Sequence, residues 1–213
     1  MEKYITVNNV TKKFKNVAVL SDINIDFEKG KIHGLIGRNG SGKTMLMKCI
    51  CGLVPVSSGN IIVNGKEIGR DIQIPESLGA IIETPGFLTG YSGYQNLLFL
   101  SRINHKINRE QIRAAIIAVG LDPDERKNVG KYSLGMRQRL GLAQAIMEDP
   151  DLLLLDEPMN GLDKEGISDM RDLLLSLKEK GKTIILASHS SEDIDVLCDS
   201  VSEMEHGELN IIR

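Results

Sequence analysis

Residues 37–44 read GRNGSGKT and fit G-x-x-x-x-G-K-[ST], the pattern of a phosphate-binding loop. Its glycines let backbone N–H groups approach phosphate oxygens, the Lys43 ammonium can bind the β- and γ-phosphates, and the Thr44 hydroxyl can ligate Mg²⁺. An apolar stretch at 31–36 predicts a buried strand before the loop, and 45–50 predict a helix whose N-terminus faces the phosphates. These flanks argue against an accidental glycine-rich turn. The predicted nucleotide contacts are Gly37, Asn39, Gly40, Ser41, Gly42, Lys43 and Thr44.

Composition narrows the class of protein. The 213 residues are 41% hydrophobic and 26% charged, as in ordinary globular domains, and the formal charge of −3 gives no electrostatic case for a nucleic-acid partner. No apolar run approaches the roughly 18 to 20 residues that span a bilayer, and the N-terminus lacks the pattern of a signal peptide. Three cysteines, Cys49, Cys51 and Cys198, fit a reducing compartment. We therefore expect a cytoplasmic location.

Hydrophobic patterning predicts an α/β fold. Alternation at 4–7 and 23–27, with 11–15 between them, predicts an N-terminal antiparallel β subdomain that continues in a hairpin near 60–65. Continuous apolar runs at 152–155 and 183–187 are typical of parallel strands covered on both faces. Strands that alternate with helices then predict a P-loop NTPase with a mainly parallel central sheet.

The segment from 85 to 150 differs from the rest of the chain. Strand patterns are absent there, and three helical stretches are predicted near 94–102, 109–119 and 134–147. Asn108 and Gln111 form a capping signature for the second, and Gly120 is its predicted stop. We predict a single domain, residues 1–213, with an inserted α-helical subdomain at 85–150.

Two acids follow the apolar strand at 152–155. Asp156 can hold Mg²⁺ through water, and Glu157 can polarise an attacking water molecule. In α/β folds the carboxyl ends of the strands are where ligands bind. A strand followed by an acidic helix cap is the alternative, but the phosphate-binding loop favours a shared catalytic site.

The segment YSLGMRQR, residues 132–139, opens a helix about 20 residues before Asp156. Ser133 and Gly135 can act as a simple helix cap, or they can form a second anion site with the helix dipole. At this point the order of motifs resembles the ATP-binding subunit of ABC transporters, whose signature reads roughly LSGGQ. Ser133 and Gly135 match that signature, whereas Tyr132, Leu134 and Met136 depart from it.

The resemblance covers nearly the whole chain and implies further roles. Asp163 resembles the aspartate in the loop that crosses the dimer interface of the family. His189 resembles the switch histidine that contacts the γ-phosphate; the alternative is a histidine at a strand end with no catalytic role. Phe14 resembles the aromatic residue that stacks on adenine, against a core or edge phenylalanine. Glu83 stands where the family usually has a glutamine at the Mg²⁺ and water, so we expect Glu83→Gln to change turnover or its Mg²⁺ dependence.

The amino-acid sequence around Glu83 and Tyr132 is most similar to that of the bacitracin-resistance and lantibiotic-immunity branch of the family. The resemblance implies that two copies sandwich two ATP molecules head to tail, with residues 37–44 of one facing 133–135 of the other. Catalysis would then rest on Lys43, Glu157 and His189, and Mg²⁺ would be held by Thr44, Asp156 and Glu83.

Half of the eight aromatic residues lie at Phe87, Tyr91, Tyr94 and Phe99. This clustering predicts either a local core or a docking groove. The resemblance favours a groove around 87–94 for a membrane permease, which places the chain on the cytoplasmic face of the membrane as the motor of an exporter. A soluble ATP-driven clamp and a small-molecule kinase are the alternatives, and the kinase leaves residues 133–139 and His189 unexplained. Export, with antimicrobial peptide or other drug-like cargo, is implied only by the resemblance to the bacitracin and lantibiotic branch.

Overall fold

The computed structural model describes residues 2–213 apart from the side chain of Asn104, so Met1 of the predicted single domain lies outside it. In chain order the elements are β1 (Lys3–Phe14), β2 (Val17–Glu28), β3 (Ile32–Ile36), α1 (Lys43–Ile50), β4 (Ser58–Val63), β5 (Lys66–Glu67), β6 (Leu78–Ile81), α2 (Gly93–Asn104), α3 (Arg109–Ala118), a 3₁₀ turn (Val129–Lys131), α4 (Leu134–Ile146), β7 (Leu152–Asp156), α5 (Lys164–Glu179), β8 (Thr183–Ala187), α6 (Ser191–Leu197), β9 (Ser200–Glu205) and β10 (Glu208–Ile211).

The first sheet is antiparallel, with strand order β2-β1-β4-β5, which confirms the predicted N-terminal β layer. β1 and β2 are longer than their alternating cores suggest, because several register irregularities let the pair continue across residues 11–14. The segment at 11–15 is therefore mostly strand rather than a connection. The buried faces of this sheet pack on α1 and share its hydrophobic core.

The second sheet has the order β10-β9-β3-β8-β7-β6, and all neighbours are parallel except the terminal β9-β10 hairpin. The four leucines of β7 and all five residues of β8 are buried, as expected of central strands covered on both faces. The carboxyl ends of β3, β7 and β6 lie along one edge of this sheet. The loop at 37–44, the acids at 156–157 and Glu83 follow these ends and are thereby brought to one edge.

Three helices, α2, α3 and α4, lie between β6 and β7 in the chain. α4 packs against β6 and α3, so their apolar faces join the core on one side of the parallel sheet. The predicted capping box is confirmed, because Asn108 and Gln111 satisfy each other's backbone N–H groups at the start of α3. Within residues 2–213, none of the helices is both long and apolar enough to cross a bilayer.

The three cysteines are free and buried. Burial raises the pKa of the Cys49 thiol to about 11 and that of Cys198 to about 12. Because the thiolate is the reactive form, these residues behave as small apolar side chains of the core.

Candidate functional site

A cleft of about 530 Å³ lies where the carboxyl edge of the parallel sheet meets α1 and the start of α4. Its lining includes residues from the phosphate-binding loop, from the ends of β6 and β7, and from α4. The predicted phosphate-contact, metal and base residues in the lining are Asn39, Gly40, Ser41, Gly42, Lys43, Thr44, Glu83, Asp156 and Glu157, whereas the predicted contact Gly37 is not part of the lining. The fold therefore brings residues from three distant stretches of sequence to one site.

The beginning of α1 differs from that of every other α-helix in residues 2–213. Helices α2 to α6 each begin with a side chain that accepts a hydrogen bond from a first-turn N–H group. α1 begins at Gly42, which has no such side chain, and its first turn contains no acid. The N-terminal N–H groups of α1 are thus left for an external anion, as a phosphate-binding helix requires.

The conformation of the loop depends on glycine. Gly37 has a φ of +139°, and a Cβ there would lie 2.2 Å from the Met204 carbonyl oxygen. The neighbouring Ser41 side chain is buried, and its hydroxyl has no hydrogen-bond partner among the described residues. A buried, unpartnered hydroxyl beside uncapped N–H groups fits a phosphate oxygen as its partner.

Lys43 is only 6% exposed, although it carries a charge. Its ammonium donates to the carbonyl oxygens of Gly37, at 2.5 Å, and Arg38, at 3.2 Å. These carbonyls hold the lysine across its own loop, which positions the cation beside the phosphate cradle. The predicted phosphate-binding lysine is therefore already oriented by the chain itself.

The two predicted metal ligands Thr44 and Asp156 meet directly. The Thr44 hydroxyl donates to Asp156 Oδ2 at 2.6 Å, which joins α1 to the end of β7. A hydroxyl and a carboxylate are the oxygen ligands that Mg²⁺ takes beside phosphates, so this pair fits the cation. Glu83 lines the same cleft, but its carboxylate pairs with Lys48 of α1 at 2.5 Å.

Glu157 and His189 lie against each other at the ends of β7 and β8. Glu157 Oε1 is buried and lies 2.8 Å from His189 Nδ1, a contact that is an ion pair only when the imidazole is protonated, and Oε1 has no hydrogen-bond partner among the described residues. Burial raises the pKa of the Glu157 carboxyl, and the Asp156 charge raises it further, while His189 and Lys43 oppose the shift. A desolvated carboxylate beside the phosphate cradle suits a group that accepts a proton from water.

The signature segment is anchored differently from the phosphate-binding loop. Ser133 caps α4 by accepting from the Met136 N–H at 3.1 Å, and a Cβ on Gly135 would lie 2.8 Å from the Gly161 carbonyl oxygen. Neither Ser133 nor Gly135 lines the cleft described above, although Leu134 does. The cap interpretation of Ser133 is thus realised, and its anion-site role remains a prediction.

Asp163 and Phe14 also lie outside the lining of that cleft. Asp163 caps α5, with Oδ1 accepting from the Gly166 N–H at 2.9 Å. Phe14 is 48% exposed at the end of β1, and Lys12 Nζ lies 4.7 Å from its ring centroid. An exposed ring at a strand end excludes a core position for Phe14 but agrees with the edge alternative, so its stacking on adenine remains a prediction.

The aromatic residues at 87–99 lie partly in a local core and partly on an exposed surface, the two environments that the sequence predicts. Tyr91 is exposed and stacks edge-to-face on Phe99, with ring centroids 5.1 Å apart. Phe87 and Tyr94 are partly buried against the helical core, and Leu88 is exposed between them. The surface at 87–94 thus has an apolar face that the chain itself covers only in part.

Two positioning residues escaped the sequence analysis. Gln138 of α4 is buried and donates a hydrogen bond to the Glu157 carbonyl oxygen at 3.1 Å, which links α4 to the end of β7. Lys48 lies four residues after Thr44, so helical spacing alone places both on one face of α1. That spacing is the only signal in the sequence that points to Lys48.

Comparison with known proteins agrees with this geometry. The family model described as ABC transporter matches residues 20–160. An uncharacterized ABC transporter ATP-binding protein of Bacillus subtilis, YybJ, is 47% identical over 96% of this chain and 94% of that protein. The bacitracin transport ATP-binding protein BcrA of Enterococcus faecalis is 42% identical over 98% of this chain and 68% of that protein.

Further similarity extends to a lantibiotic transporter and to solved structures. The lantibiotic transport ATP-binding protein SrtF of Streptococcus pyogenes is 35% identical over 96% of this chain and 88% of that protein. The dimeric structure of a bacterial ABC transporter cassette superposes with a TM-score of 0.88 at 19% identity, covering 98% of this chain and 99% of that one. The family match and these identities show that this chain belongs to the ABC transporter family as an ATP-binding protein, an ATPase of the P-loop fold.

Proposed function

We propose that this chain hydrolyses ATP to drive an exporter of antimicrobial peptide or similar drug-like cargo. The observation that carries the chemistry is the partly buried Glu157 carboxylate, whose buried Oε1 lies against His189 and which follows the Asp156 that binds Thr44. The cargo class is supported by the similarity to bacitracin and lantibiotic transport proteins. We propose that the direction is outward on the same ground.

The predicted residues in and beside the cleft have separate roles in the proposed reaction; His189 lies next to Glu157 but outside the cleft lining. The N–H groups of 37–44 and the Lys43 ammonium bind the phosphates and stabilise charge that develops on them. Glu157 orients a water molecule for in-line attack on the γ-phosphorus and accepts its proton, while the bond between the γ-phosphorus and the bridging oxygen breaks and ADP leaves. His189, half exposed beside Glu157, donates to the γ-phosphate.

Thr44 and Asp156 would hold Mg²⁺, and Glu83 is the third proposed contributor. The cation, when bound, supplies Lewis-acid neutralisation of phosphate charge. The fit rests on the Thr44–Asp156 hydrogen bond, which brings two oxygen ligands together at the edge of the phosphate cradle.

We propose that the active unit is a head-to-tail dimer of two copies. Ser133 and Gly135 do not line the chain's own cleft, and α4 presents its N-terminus, an anion-attracting end, beside an exposed Ser133. Asp163, at the start of α5, would lie at the same interface, and Phe14 would stack on the adenine. The structural likeness to a dimeric cassette supports a fold able to make this arrangement.

The inserted helical subdomain, which we assign to residues 85–150, would carry the partner site. Its partly uncovered apolar surface at 87–94 is proposed to receive a cytoplasmic helix of a membrane permease. Alanine at Leu88 and Tyr91, both exposed, should reduce membrane recruitment without loss of ATP binding. Intact recruitment of that variant would contradict the docking role.

The competing function is an ATP-driven clamp on a soluble partner. Pull-down from native membranes separates the two proposals, because the exporter motor co-purifies with a polytopic membrane protein and the clamp does not. Phosphate transfer to a small-molecule acceptor would instead support the kinase alternative.

Glu157→Gln tests the proposed chemistry. The amide keeps the size of the side chain but cannot accept a proton, so turnover should fall by about 10² to 10⁴-fold while ATP binding is retained. An ATP-held dimer of this variant should accumulate and be visible by size-exclusion chromatography. Hydrolysis at the wild-type rate would remove Glu157 from its role.

A further inference from the structure

Lys48 and Glu83 form an ion pair inside the nucleotide cleft. Lys48 Nζ lies 2.5 Å from Glu83 Oε1, and both residues line the cleft together with Thr44 and Asp156. The Lys48 side chain is 24% exposed and that of Glu83 is 63% exposed, so Glu83 can leave the pair without burying a charge. An ion pair with one largely exposed partner is weakly held, so opening it costs little free energy.

The fold explains why these two residues meet. Lys48 follows Thr44 by one helical turn on α1, and Glu83 lies two residues beyond the end of β6. β6 pairs in parallel with β7, with Ile81 opposite Leu155, so Glu83 and Asp156 follow neighbouring strand ends. A carboxylate at this position faces the same edge that carries the proposed cation ligands.

An additional acid in this cleft changes its charge. Glu83, Asp156 and Glu157 are three carboxylates, while Lys43 is already held by two loop carbonyls. Lys48 supplies the cation that compensates Glu83 and holds its carboxylate toward α1. Glu83 itself has a left-handed backbone, with a φ of +62°, where the chain turns from β6 toward the helices.

We propose that Lys48 is a positioning residue that controls how strongly Glu83 acts on the divalent cation of the bound nucleotide. While the Lys48–Glu83 pair is closed, the carboxylate is withheld from the cation. When the pair opens, Glu83 becomes a third oxygen ligand beside the Thr44 hydroxyl and the Asp156 carboxylate, and the second that is anionic. This inference rests on the proposed ATPase function and adds a control over its metal dependence.

Four proteins test the proposal: the wild type, Lys48→Met, Glu83→Gln and the double variant. Binding of Mn²⁺, a Mg²⁺ substitute visible by electron paramagnetic resonance, is measured on each protein saturated with ADP. Lys48→Met frees Glu83 and should tighten Mn²⁺ binding by roughly tenfold, the scale of one added charge interaction. In the Glu83→Gln background the same substitution should change Mn²⁺ affinity by less than about twofold.

Two controls separate this mechanism from general electrostatics. Lys48→Arg keeps the charge and should leave Mn²⁺ affinity near that of the wild type. Lys66→Met breaks the ion pair with Glu76 outside the cleft and should have no effect. If thermal melting shows Lys48→Met to be unfolded, Lys48→Gln replaces it in the cycle.

Equal effects of Lys48→Met with and without Glu83 would overturn the proposal, because the lysine would then act only as a nearby charge. An unchanged Mn²⁺ affinity in Lys48→Met would overturn it as well. Failure of the wild type to bind ADP at all would instead contradict the proposed ATPase function, so the two failures are distinguishable.

Discussion

The phosphate-binding loop and the signature segment are both anion sites by composition, but the structure prepares them in opposite ways. In the loop, the helix begins uncapped, the Ser41 hydroxyl lacks a partner, and Lys43 is oriented by its own carbonyls toward the cleft. In the signature segment, the Ser133 hydroxyl caps α4, and the side chain is exposed outside the cleft lining. The loop is open to its own cleft, whereas Ser133 and Gly135 of the signature segment lie outside the lining of that cleft.

This difference supports a divided catalytic site. The loop is built on the parallel sheet and can bind phosphates within one chain. The signature segment is built on the helices between β6 and β7, and its Ser133 and Gly135 lie outside the lining of the chain's own cleft. A second copy that offers its loop to this segment would complete both sites.

Among the substitutions that compare the loop with the signature segment, Lys43→Met should give the largest effect, because it removes the phosphate-binding cation of the loop. We expect ATP affinity to fall and turnover to drop by about 10² to 10³-fold, the range seen when one preorganised charge donor is lost. Isothermal titration with ATP and a phosphate-release assay check this. Lys180→Met, at an exposed lysine past α5, is the control, and equal affinities in the two variants would show that the loop is not the binding half.

Ser133→Asp should separate the two halves. Aspartate caps a helix as well as serine does, so the fold is kept, but its charge repels a phosphate brought by another copy. Turnover should fall by about 100-fold, while ATP binding to the monomer stays unchanged. Ser133→Asn, a neutral cap, should retain more activity than Ser133→Asp. Loss of monomer ATP binding in Ser133→Asp would place the segment in its own chain's site.

Much of the loop half was predictable because its chemistry is local in sequence. The spacing of Gly37, Lys43 and Thr44 fixes their relative positions within one strand–loop–helix unit. The apolar run before Asp156 likewise predicted a central strand, and the structure confirms it. The hydrogen bond between Thr44 and Asp156 follows from parallel strands whose carboxyl ends share one edge.

The remaining features depend on contacts between distant segments, which periodicity does not report. The Lys48–Glu83 ion pair joins residues that are 35 positions apart in the sequence. Gln138 of α4 donates a hydrogen bond to the Glu157 carbonyl oxygen, which follows β7. The β1 and β2 strands are also longer than the alternation of apolar and polar residues predicts, because bulges keep the two strands paired where that alternation stops. Side-chain pairing and bulges are decided by tertiary packing.

Phe14→Ala should give a smaller effect, confined to the nucleotide. Loss of one stacking ring costs about 1 to 3 kcal/mol, so ATP affinity should fall by roughly tenfold with little change in saturated turnover. Phe14→Tyr preserves the ring and is the matched control. The measurement is ATP affinity by titration; an affinity unchanged in Phe14→Ala would remove this exposed ring from the nucleotide site.

The smallest predicted effect is a change in stability with pH at His33, which lies outside both the phosphate-binding loop and the signature segment. Its ring is buried between the Ser200 hydroxyl and the Glu28 carbonyl, and burial lowers its pKa. As pH falls below about 6.5, the unfolded chain binds a proton that the folded chain refuses, so the free energy of unfolding decreases by at most about 1.4 kcal/mol per pH unit.

Denaturant unfolding at pH 7 and pH 5 measures this dependence. His33→Gln should show a weaker loss of stability with acid than the wild type, and His206→Gln, at an exposed histidine, should show the same loss as the wild type. Neither substitution should alter nucleotide binding or turnover, because both histidines lie outside the phosphate-binding loop and the signature segment. An identical pH dependence in His33→Gln and the wild type would contradict the assignment.

Mixing two inactive variants tests the divided site most directly. Lys43→Met damages only the loop half of a copy, and Ser133→Asp damages only its signature half. A mixed dimer contains one site with both defects and one site with neither, so mixing should restore ATP hydrolysis, to roughly a quarter of the wild-type rate if the copies pair at random. If each chain completes its own site, every site in the mixture carries one defect. The mixture would then remain as inactive as either variant alone, which would contradict the account.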